Sequence, residues 1–542
     1  MPEAGYLTRA LARLLGRRDC GVPQHPYFGD ELSSTNPFHI TQARTLSPRE
    51  VLVLAISRHT TNALVTHGAS ASAAASASAS ATRSLCAAAV AVPGLWWLTP
   101  SSDEAPRLDL EGPPTRQLVF DTGPSKNAVT RILSQNSYSF MVKTVSGVNR
   151  YDGTQLASNS VCEDRFTHGK LPSPWNDNNQ WMAWGVFDGH AGWQTAALLQ
   201  KQLLPFVRYS LGNIEPTPGG AVRSDKMIQT AIKKGFVDLD EAIMELALTA
   251  AQSEEPLQDK VKKSESAWAG SCALLAMYDP AASTLQVACT GDSRAVLGRE
   301  DSDGKWRAIP LSVDQTANNP EEVARISKEH PGEEGIVKDG RVLGLVVSRA
   351  FGDSRWKWAV ELQKDLKRRL YGPRPLTPKY DIRTPPYITA EPIVTTTKID
   401  PNKPSFLILA TDGLWDTLTN QQAVDLVKGW LERRASRDSS RTPEPTHEPF
   451  DFRHFRKGVS WKFVAERATF QDDNVAVHLV RNSLGGNHHE LLAGRLAFSS
   501  PFSRSLRDDI TVQVVFFNVP GLESSTQKPT LLDRMLPKLG LR

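Results

Sequence analysis

The spacing of short apolar runs in the middle of the chain restricts the fold more than any other feature of the sequence. Three such runs, Ser271–Tyr278, Thr284–Ala288 and Arg294–Leu297, are separated by gaps of only a few residues. The gaps contain turn-forming residues, Asp279-Pro280 in the first and Gly291-Asp292-Ser293 in the second. Parallel strands need a crossover of a dozen or more residues, whereas antiparallel strands can be joined by a tight turn. The sequence therefore predicts antiparallel hairpins in this region.

Further segments predict the elements that surround these hairpins. Apolar runs rich in strand-favouring residues predict strands at Trp181–Phe187, Phe406–Ala410 and Ile510–Phe517. Apolar residues at helical spacing predict helices within Trp193–Leu211, Ala423–Leu431 and Asn474–Leu484. Hairpins mixed with amphipathic helices indicate an α+β fold, in which helices cover antiparallel sheets.

The first part of the chain differs in composition from the rest. Every lysine-or-arginine position before Lys126 is an arginine, and Arg9, Arg13 and Arg17 are four residues apart. On a helix that spacing stacks the three arginines on one face. An arginine-rich, amphipathic and acid-poor segment is typical of a mitochondrial transit peptide. An ordinary charged surface helix is the alternative interpretation.

A second part of this leader is made of small and apolar residues. Residues 69–82 are all Ala, Ser or Thr, which have no large side chains to pack. The apolar run Leu85–Leu98 that follows is shorter than the ~20 residues of a membrane-spanning helix. Two interpretations stay open: a short anchor that associates the protein with the inner membrane, and a flexible leader with an apolar patch.

We divide the chain into three parts on these grounds. Residues 1–116 form the leader, 117–520 form one folded domain, and 521–542 form a C-terminal tail. Two long polar connections inside the domain, Glu361–Pro386 and Glu432–His454, are predicted to be loop insertions.

Charge and cysteine content exclude several classes of protein. The chain has 63 lysines and arginines against 59 acidic residues, a net charge of +4, which argues against a dedicated nucleic-acid-binding protein. The 5 cysteines lie far apart without a CxxC pair. This spacing excludes a disulfide scaffold and a cysteine-rich zinc site, and it suits a reducing compartment.

Four acidic clusters lie at the ends of predicted strands or close to them. They are Glu163-Asp164, Asp188-Gly189-His190, Asp412-Gly413 and Arg507-Asp508-Asp509. A carboxylate beside an apolar strand is unfavourable unless it is paired or binds a cation. Hard cations such as Mg²⁺ and Mn²⁺ prefer oxygen ligands. Each cluster alone is more typical of a turn or a solvated surface, but together they predict a metal pair.

The order of these clusters resembles the metal-dependent Ser/Thr protein phosphatases, the type 2C family. The residues that carry the resemblance are Glu163-Asp164, Val186–Gly192, Gly270-Ser271, Thr290–Ala295, Val347–Asp353, Ala410–Asp416 and Arg507–Val512. The resemblance implies a four-layer α-β-β-α sandwich with two central antiparallel sheets.

The resemblance also implies roles for single residues. It implies two Mn²⁺ or Mg²⁺ ions per subunit and a weaker third ion, with metal-site residues Asp188, Gly189 (through its carbonyl), Asp412, Asp508, Glu163, Asp164 and Asp292. Asp188 would bridge the two ions and is therefore also a catalytic residue, and Asp292 would belong to the third. His190 is implied to be the general acid that protonates the leaving seryl oxygen.

Several features also resemble one branch of the family, the mitochondrial pyruvate dehydrogenase phosphatases. The residues that carry this resemblance are Tyr151-Asp152, Gln155-Leu156, Asn159, Glu163-Asp164-Arg165, Leu343–Leu345, Arg349–Asp353, Lys357-Trp358, Thr384–Pro392, Asp473–Ala476 and His478-Leu479. Asn159 stands where many family members have an arginine that grips the substrate phosphate, and the branch shares the asparagine. Asn159 is thus the implied phosphate contact, with Arg165 or Arg349 as candidates to supply the missing charge.

The resemblance implies hydrolysis of phosphoserine on a protein, with the E1α subunit of the pyruvate dehydrogenase complex as substrate and partner. It places the protein in mitochondria, in the matrix or at the inner membrane. Two alternatives are a type 2C phosphatase for another mitochondrial phosphoprotein and a pseudophosphatase scaffold. The acidic clusters that a pseudophosphatase usually loses are present here.

Overall fold

The computed structural model describes residues 123–175, 177–215, 223–436, 445–446, 449–456 and 461–522. The predicted leader, with its arginine-rich segment, the Ala/Ser tract and Leu85–Leu98, lies outside these residues, as does nearly all of the predicted tail. None of the helices within the described residues combines the length and the apolar composition that crossing a membrane requires.

The strands and helices alternate irregularly along the chain. The strands are β1 (Tyr138–Met141), β2 (Val148–Leu156), β3 (Arg165–Pro172), β4 (Gln180–Phe187), β5 (Gly189–His190), β6 (Gly270–Ser271), β7 (Ala273–Asp279), β8 (Thr284–Thr290), β9 (Arg294–Glu300), β10 (Trp306–Pro310), β11 (Val337–Lys338), β12 (Arg341–Val342), β13 (Phe351–Gly352), β14 (Ile393–Lys398), β15 (Ser405–Ala410) and β16 (Ile510–Phe517). The helices are α1 (Lys126–Ser134), α2 (Gln194–Gly212), α3 (Asp225–Gln252), α4 (Leu257–Trp268), α5 (Pro320–Glu329), α6 (Val360–Leu370), α7 (Asp412–Trp415), α8 (Asn420–Ser436), α9 (Arg453–Arg456), α10 (Val475–Leu484) and α11 (His489–Ala497).

Two antiparallel sheets form the centre of the fold. One has the strand order β1-β2-β16-β15-β9-β10, and the other has the order β14-β8-β7-β4-β3. Buried side chains from both sheets form one hydrophobic cluster between them. Helices α1, α8 and α10 pack against the first sheet, and α2 and α3 pack against the second. Helix α11 packs on α1 and α10, and α6 packs on α4. The predicted α+β class and the four-layer α-β-β-α sandwich are confirmed.

The central strands are apolar throughout because both of their faces are covered. In β15, Phe406 and Ile408 belong to the cluster shared with the helices, whereas Leu407 and Leu409 belong to the cluster between the sheets. Successive side chains of a strand point to opposite faces. A strand between a helix layer and a second sheet therefore shows no polar face in its sequence.

The predicted hairpins are confirmed in one case and wrong in the other. β7 and β8 pair in antiparallel register across the Asp279-Pro280 turn. β8 and β9 do not pair with each other, because β8 lies in the five-stranded sheet and β9 in the six-stranded sheet. Gly291 has a φ of +104°, which favours glycine, and the turn carries the chain from one sheet to the other.

Both predicted loop insertions are partly helical. In the first, helix α6 occupies Val360–Leu370, so the prediction of a loop from Glu361 onward is wrong there. Its buried residues, Val360, Gln363, Leu366 and Leu370, recur at helical spacing, and the proline-rich part of the connection follows the helix. In the second connection α8 extends to Ser436, and residues 437–444 lie outside the described residues.

Candidate metal centre and active site

Antiparallel pairing brings several strand ends to the same edge of the sandwich. Strand β4 ends at Phe187 and β15 ends at Ala410, and an aspartate follows one or two residues later in each case. Strand β16 runs antiparallel to β15, so its first residue, Ile510, lies at this edge together with Asp508 and Asp509. The end of β2 pairs with the start of β16, which brings the segment 157–163 to the same place.

Three aspartates come together at this edge. One carboxylate oxygen from each of Asp188, Asp292 and Asp412 lies within 4.8 Å of the others. Asp188 follows β4, Asp292 lies in the turn between β8 and β9, and Asp412 begins α7. The turn that joins the two sheets therefore delivers the third carboxylate. Three oxygen ligands at this separation fit a hard divalent cation.

The carboxylates of the cluster are partly buried and repel one another, and both effects raise pKa values within the cluster. Burial raises the pKa of Asp188 well above its ordinary value, and the neighbouring charges of Asp412, Asp164 and Asp292 raise it further. Burial and the charge of Asp292 raise the pKa of Asp412 to about 6, and burial also raises the pKa of Asp292. A bound divalent cation would remove this repulsion, since it favours the ionised carboxylates.

His190 is held by an aspartate from a distant part of the chain. Its Nε2 lies 2.6 Å from Oδ2 of Asp353, which is buried. Burial by itself lowers the pKa of His190, but the charge and hydrogen bond of Asp353 raise it above its ordinary value, with help from Asp292 and Glu163. Gly270 makes this contact possible, because a Cβ there would overlap both His190 and Asp353.

The side chain of Glu163 is held by hydrogen bonds within the protein. Its Oε1 accepts from the Gly192 N–H at 2.6 Å, and its Oε2 accepts from Nδ2 of Asn159 at 2.9 Å. The Asn159 amide also donates to Oδ2 of Asp509 at 3.1 Å. Both hydrogens of this amide are therefore used inside the protein, and the predicted phosphate contact of Asn159 stays a prediction.

Asp509 organises the loop that carries Asn159 and Glu163. Its Oδ1 accepts the backbone N–H groups of Ser158 and Asn159, and its Oδ2 accepts the backbone N–H of Glu163 at 2.8 Å. With the Asn159 side chain, this makes four donors on one buried carboxylate. An aspartate accepts at both oxygens, whereas an asparagine accepts at only one of its two terminal atoms.

We expect Asp509→Asn to lower the free energy of unfolding by about 1–3 kcal/mol, because charge-assisted hydrogen bonds are lost and an NH₂ group faces N–H donors. Turnover should fall as well, since the loop positions Glu163. Urea unfolding and steady-state kinetics measure both effects. The matched control is Asp303→Asn in an exposed loop, expected within about 0.5 kcal/mol of the unmodified protein. Equal stability of the Asp509 and Asp303 variants would contradict this role.

The remaining predicted metal residues lie outside the three-aspartate group. Asp164 is buried, and its Oδ2 accepts hydrogen bonds from the hydroxyls of Thr411 and Thr511 at 2.9 and 2.7 Å. Burial, with the charge of Asp509, raises the pKa of Asp164 to about 8. Asp508 forms an ion pair with Arg504. Asp292, predicted for a third ion, lies beside Asp188 and Asp412, and its assignment to that ion stays a prediction.

The two arginines considered as phosphate ligands are engaged elsewhere. Arg349 is buried and donates to both carboxylate oxygens of Glu322 and to the Glu391 carbonyl. Arg165 donates to the carbonyls of Cys162 and Asp164. The structure thus supplies no support for Arg349 as a phosphate contact.

Sequence reasoning missed three residues of this site. Asp353 lies within a block used for the resemblance, but nothing in its position along the chain pairs it with His190. Asp509 is visible in the sequence only as an acid beside an expected ligand. Arg504 lies only four residues before its partner Asp508, but an arginine at this spacing does not by itself indicate a site.

The sequence of this chain is similar to those of known protein phosphatases. Residues 149–443 match the family described as protein phosphatase 2C. A protein phosphatase 2C homologue of Schizosaccharomyces pombe is 41% identical over 379 residues, which cover 69% of this chain and 81% of the relative. The mitochondrial pyruvate dehydrogenase (acetyl-transferring) phosphatase 1 of Saccharomyces cerevisiae is 35% identical over 427 residues, covering 73% and 74%. The crystal structure of a serine-threonine phosphatase 2C from Toxoplasma gondii superimposes with a TM-score of 0.40 at 19% identity, covering 70% of this chain and 99% of that one.

The chain belongs to the protein phosphatase 2C family. The class that the fold and the family define is a metal-dependent protein serine/threonine phosphatase, so the predicted enzyme class is confirmed. The cluster of Asp188, Asp292 and Asp412 is suited to the metal dependence of that class.

Proposed function

We propose that this phosphatase removes phosphate from phosphoserine on the E1α subunit of the pyruvate dehydrogenase complex in mitochondria. The proposed substrate rests on the similarity to the pyruvate dehydrogenase phosphatase of Saccharomyces cerevisiae. This similarity extends over about three quarters of both chains (73% and 74%). The sequence blocks noted above and the arginine-rich leader support the same branch and compartment.

We propose that the edge of the sandwich holds two Mn²⁺ or Mg²⁺ ions, with a weaker third. The ligands would be Asp188, the carbonyl of Gly189, Asp412 and Asp508, with Glu163 and Asp164 beside them and Asp292 serving the third ion. The residues fit such ions, because all of the side-chain ligands are carboxylates and three of them converge. When bound, the cations would supply an activated water and neutralise charge on the phosphoryl group.

His190 would act as the general acid. The leaving seryl oxygen needs a proton as its bond to phosphorus breaks, and an imidazolium can donate one near neutral pH. Asp353 favours the charged ring and fixes its orientation through Nε2. The ring nitrogen that does not contact Asp353, Nδ1, would then face the substrate.

Phosphate would be bound with little help from arginine near Asn159. An asparagine offers a neutral donor, so the contact lacks the charge assistance of a bidentate guanidinium. Asn159 would reach the phosphate by exchanging one of its bonds to Glu163 or Asp509. This exchange couples phosphate binding to the loop that Asp509 holds.

The test compares two phosphoserine proteins as substrates of the full chain with Mn²⁺. We expect the kcat/KM for phosphorylated E1α to exceed that for phosphorylated casein by at least about tenfold, which corresponds to about 1.4 kcal/mol of differential transition-state binding. Chelation with EDTA should remove both activities. The control is the same assay with Asp188→Asn.

Other outcomes favour the alternatives. Equal kcat/KM for the two proteins would favour a phosphatase for another mitochondrial phosphoprotein. Absence of turnover on both proteins, in spite of Mn²⁺ binding measured by calorimetry, would favour a scaffold role. The N-terminus of the protein isolated from mitochondria tests the localisation: a start near Gln117 supports import and processing, and retention of Leu85–Leu98 supports inner-membrane association.

A further inference from the structure

A cavity of about 220 Å³ lies beside the acidic cluster, on the side of Gly413 and Asp508. It has room for several water molecules, each of which takes about 30 Å³ in liquid water. The charged residues of its wall are Asp416, Arg495, Arg504, Arg507 and Asp508, and Trp461, Thr417 and Ser505 add hydrogen-bonding groups. Three arginines therefore meet two aspartates around one cavity.

Arg495 is an unusual residue for the interior of a protein. Its exposed fraction is 3%, and its Nη1 donates to the carbonyls of Ser483 and Leu484 at 3.4 and 3.2 Å. Its Nε is buried and has no hydrogen-bond partner among the described residues. No described carboxylate lies within ion-pair distance of its guanidinium. The guanidinium also packs over the Phe455 ring, 4.8 Å from its centroid. A buried cation is unfavourable unless a counter-ion accompanies it, so this guanidinium is a favourable partner for an anion.

A second arginine shares this environment. Arg507 donates through Nε to the carbonyl of Arg495 at 3.2 Å and through Nη1 to the carbonyl of Ala157 at 2.7 Å. Burial lowers the pKa of Arg495 to about 10, and the charge of Arg507 contributes. Burial also lowers the pKa of Arg507, although Asp509 partly offsets this effect.

The wall of the cavity offers a further donor. The indole Nε1 of Trp461 is buried and, within the described part of the chain, has no hydrogen-bond partner. Of the two aspartates in the wall, Asp508 already pairs with Arg504. Arg495, Arg507 and Trp461 add donors and positive charge to the lining.

We propose that this cavity is a binding site for an oxyanion, a phosphoryl or carboxylate group, which Arg495 and Arg507 would bind. The cavity is adjacent to the metal centre and shares with it the proposed ligand Asp508. Guanidinium groups bind such anions with charge-assisted hydrogen bonds, and burial strengthens these bonds. Two sources have this chemistry: a second acidic or phosphorylated side chain of the protein substrate, and free phosphate. The proposal goes beyond the proposed function, because it does not depend on which phosphoprotein is hydrolysed.

The first experiment measures binding of inorganic phosphate to the full chain by calorimetry, in EDTA so that no metal-bound phosphate contributes. We expect saturable binding, and a Kd at least about tenfold weaker in Arg495→Gln and Arg507→Gln. The matched control is Arg368→Gln on the exposed side of α6, with an unchanged Kd. Thermal unfolding verifies that each variant is folded. If Arg495→Gln does not fold, Arg507→Gln alone tests the proposal, because Arg507 is less buried.

A second experiment distinguishes the two sources without any turnover. It compares binding of a peptide with two phosphoserines to that of a peptide with one, again in EDTA. If the doubly phosphorylated peptide binds more tightly, and this difference disappears in Arg507→Gln, the natural occupant of the cavity is a side chain of the protein substrate. Equal binding of the peptides, with Arg507-dependent phosphate binding, identifies free phosphate. Absence of saturable phosphate binding, or equal Kd values in the unmodified protein and both arginine variants, would overturn the proposal.

Discussion

Asp188→Asn and Asp412→Asn are each expected to lower kcat with Mn²⁺ by about 10³-fold or more. Either change removes one carboxylate from the cluster that would hold the cations, and loss of several kcal/mol of transition-state stabilisation corresponds to this factor. Each asparagine keeps the shape of the side chain, so the fold should persist. Turnover of a phosphoserine peptide measures the effect.

The thermal midpoints of the same variants distinguish loss of a metal ligand from loss of folding. In metal-free protein the three aspartates repel one another within 4.8 Å, so removal of one charge should leave the thermal midpoint unchanged or raise it. The rise in midpoint that Mn²⁺ gives the unmodified protein should shrink or disappear.

Asp365→Asn, at a partly exposed position of α6, is the matched control for these two variants. It should keep both turnover and the response to Mn²⁺. Retained turnover in Asp188→Asn or Asp412→Asn would contradict the two-metal site.

Glu322→Ala is expected to lower the free energy of unfolding by about 3–5 kcal/mol. The Glu322 carboxylate is 3% exposed, and it accepts hydrogen bonds from Arg349, Arg325 and Ser348. Its removal leaves Arg349 buried without a counter-ion, which is the costly way to break a buried ion pair. Urea unfolding measures the change. Turnover should fall too, because Arg349 lies in the segment that delivers Asp353 to His190.

A control variant and a double variant test whether the loss of stability comes from the buried ion pair. Glu329→Ala lies on the same helix and removes an exposed partner of Arg325, so it should change stability by less than about 1 kcal/mol. The pair Glu322→Leu with Arg349→Met removes both charges and should recover much of the loss. A Glu322→Ala protein as stable as the Glu329→Ala protein would contradict the role assigned to this ion pair.

The pH dependence of the same pair has a defined sign. Burial tends to raise the pKa of Glu322, but the hydrogen bonds from Arg349, Arg325 and Ser348 and the charge of Arg349 lower it to about 2. The carboxylate therefore stabilises the folded state fully above the ordinary glutamate pKa of about 4.5, and this contribution is lost as the pH falls toward 2. The unmodified protein should therefore be more stable than Glu322→Gln above pH about 4.5, and the difference in the free energy of unfolding should decrease as the pH falls toward 2.

The elements of the fold were largely predictable because their signals are local. Burial on both faces makes β15 and β16 continuous apolar runs, and helical spacing marks α2, α8 and α10. The error at β8 and β9 shows the limit of such signals. A three-residue turn can join two strands of one sheet or carry the chain to a facing sheet, and the sequence of the turn does not distinguish these cases.

The site was predictable as a set of acids and less so as an arrangement. Their positions at strand ends predict Asp188 and Asp412 as metal ligands, and the carboxylates of these two aspartates lie close together. The resemblance predicts Asp292 as a ligand of a third metal ion. Its grouping with the other two follows from the crossing between the sheets, which no local pattern records.

By itself, the sequence determined that this chain forms covered antiparallel sheets with carboxylates at their ends, and that it resembles one family of phosphatases. Those conclusions depend on residue type and short-range spacing. The tertiary structure alone decided which groups are partners: Asp353 with His190, Glu322 with Arg349, and Arg495 with no described carboxylate near it. The physical reason is that hydrogen bonds and ion pairs act over a few ångströms in space, between residues that are tens to hundreds of positions apart in the chain.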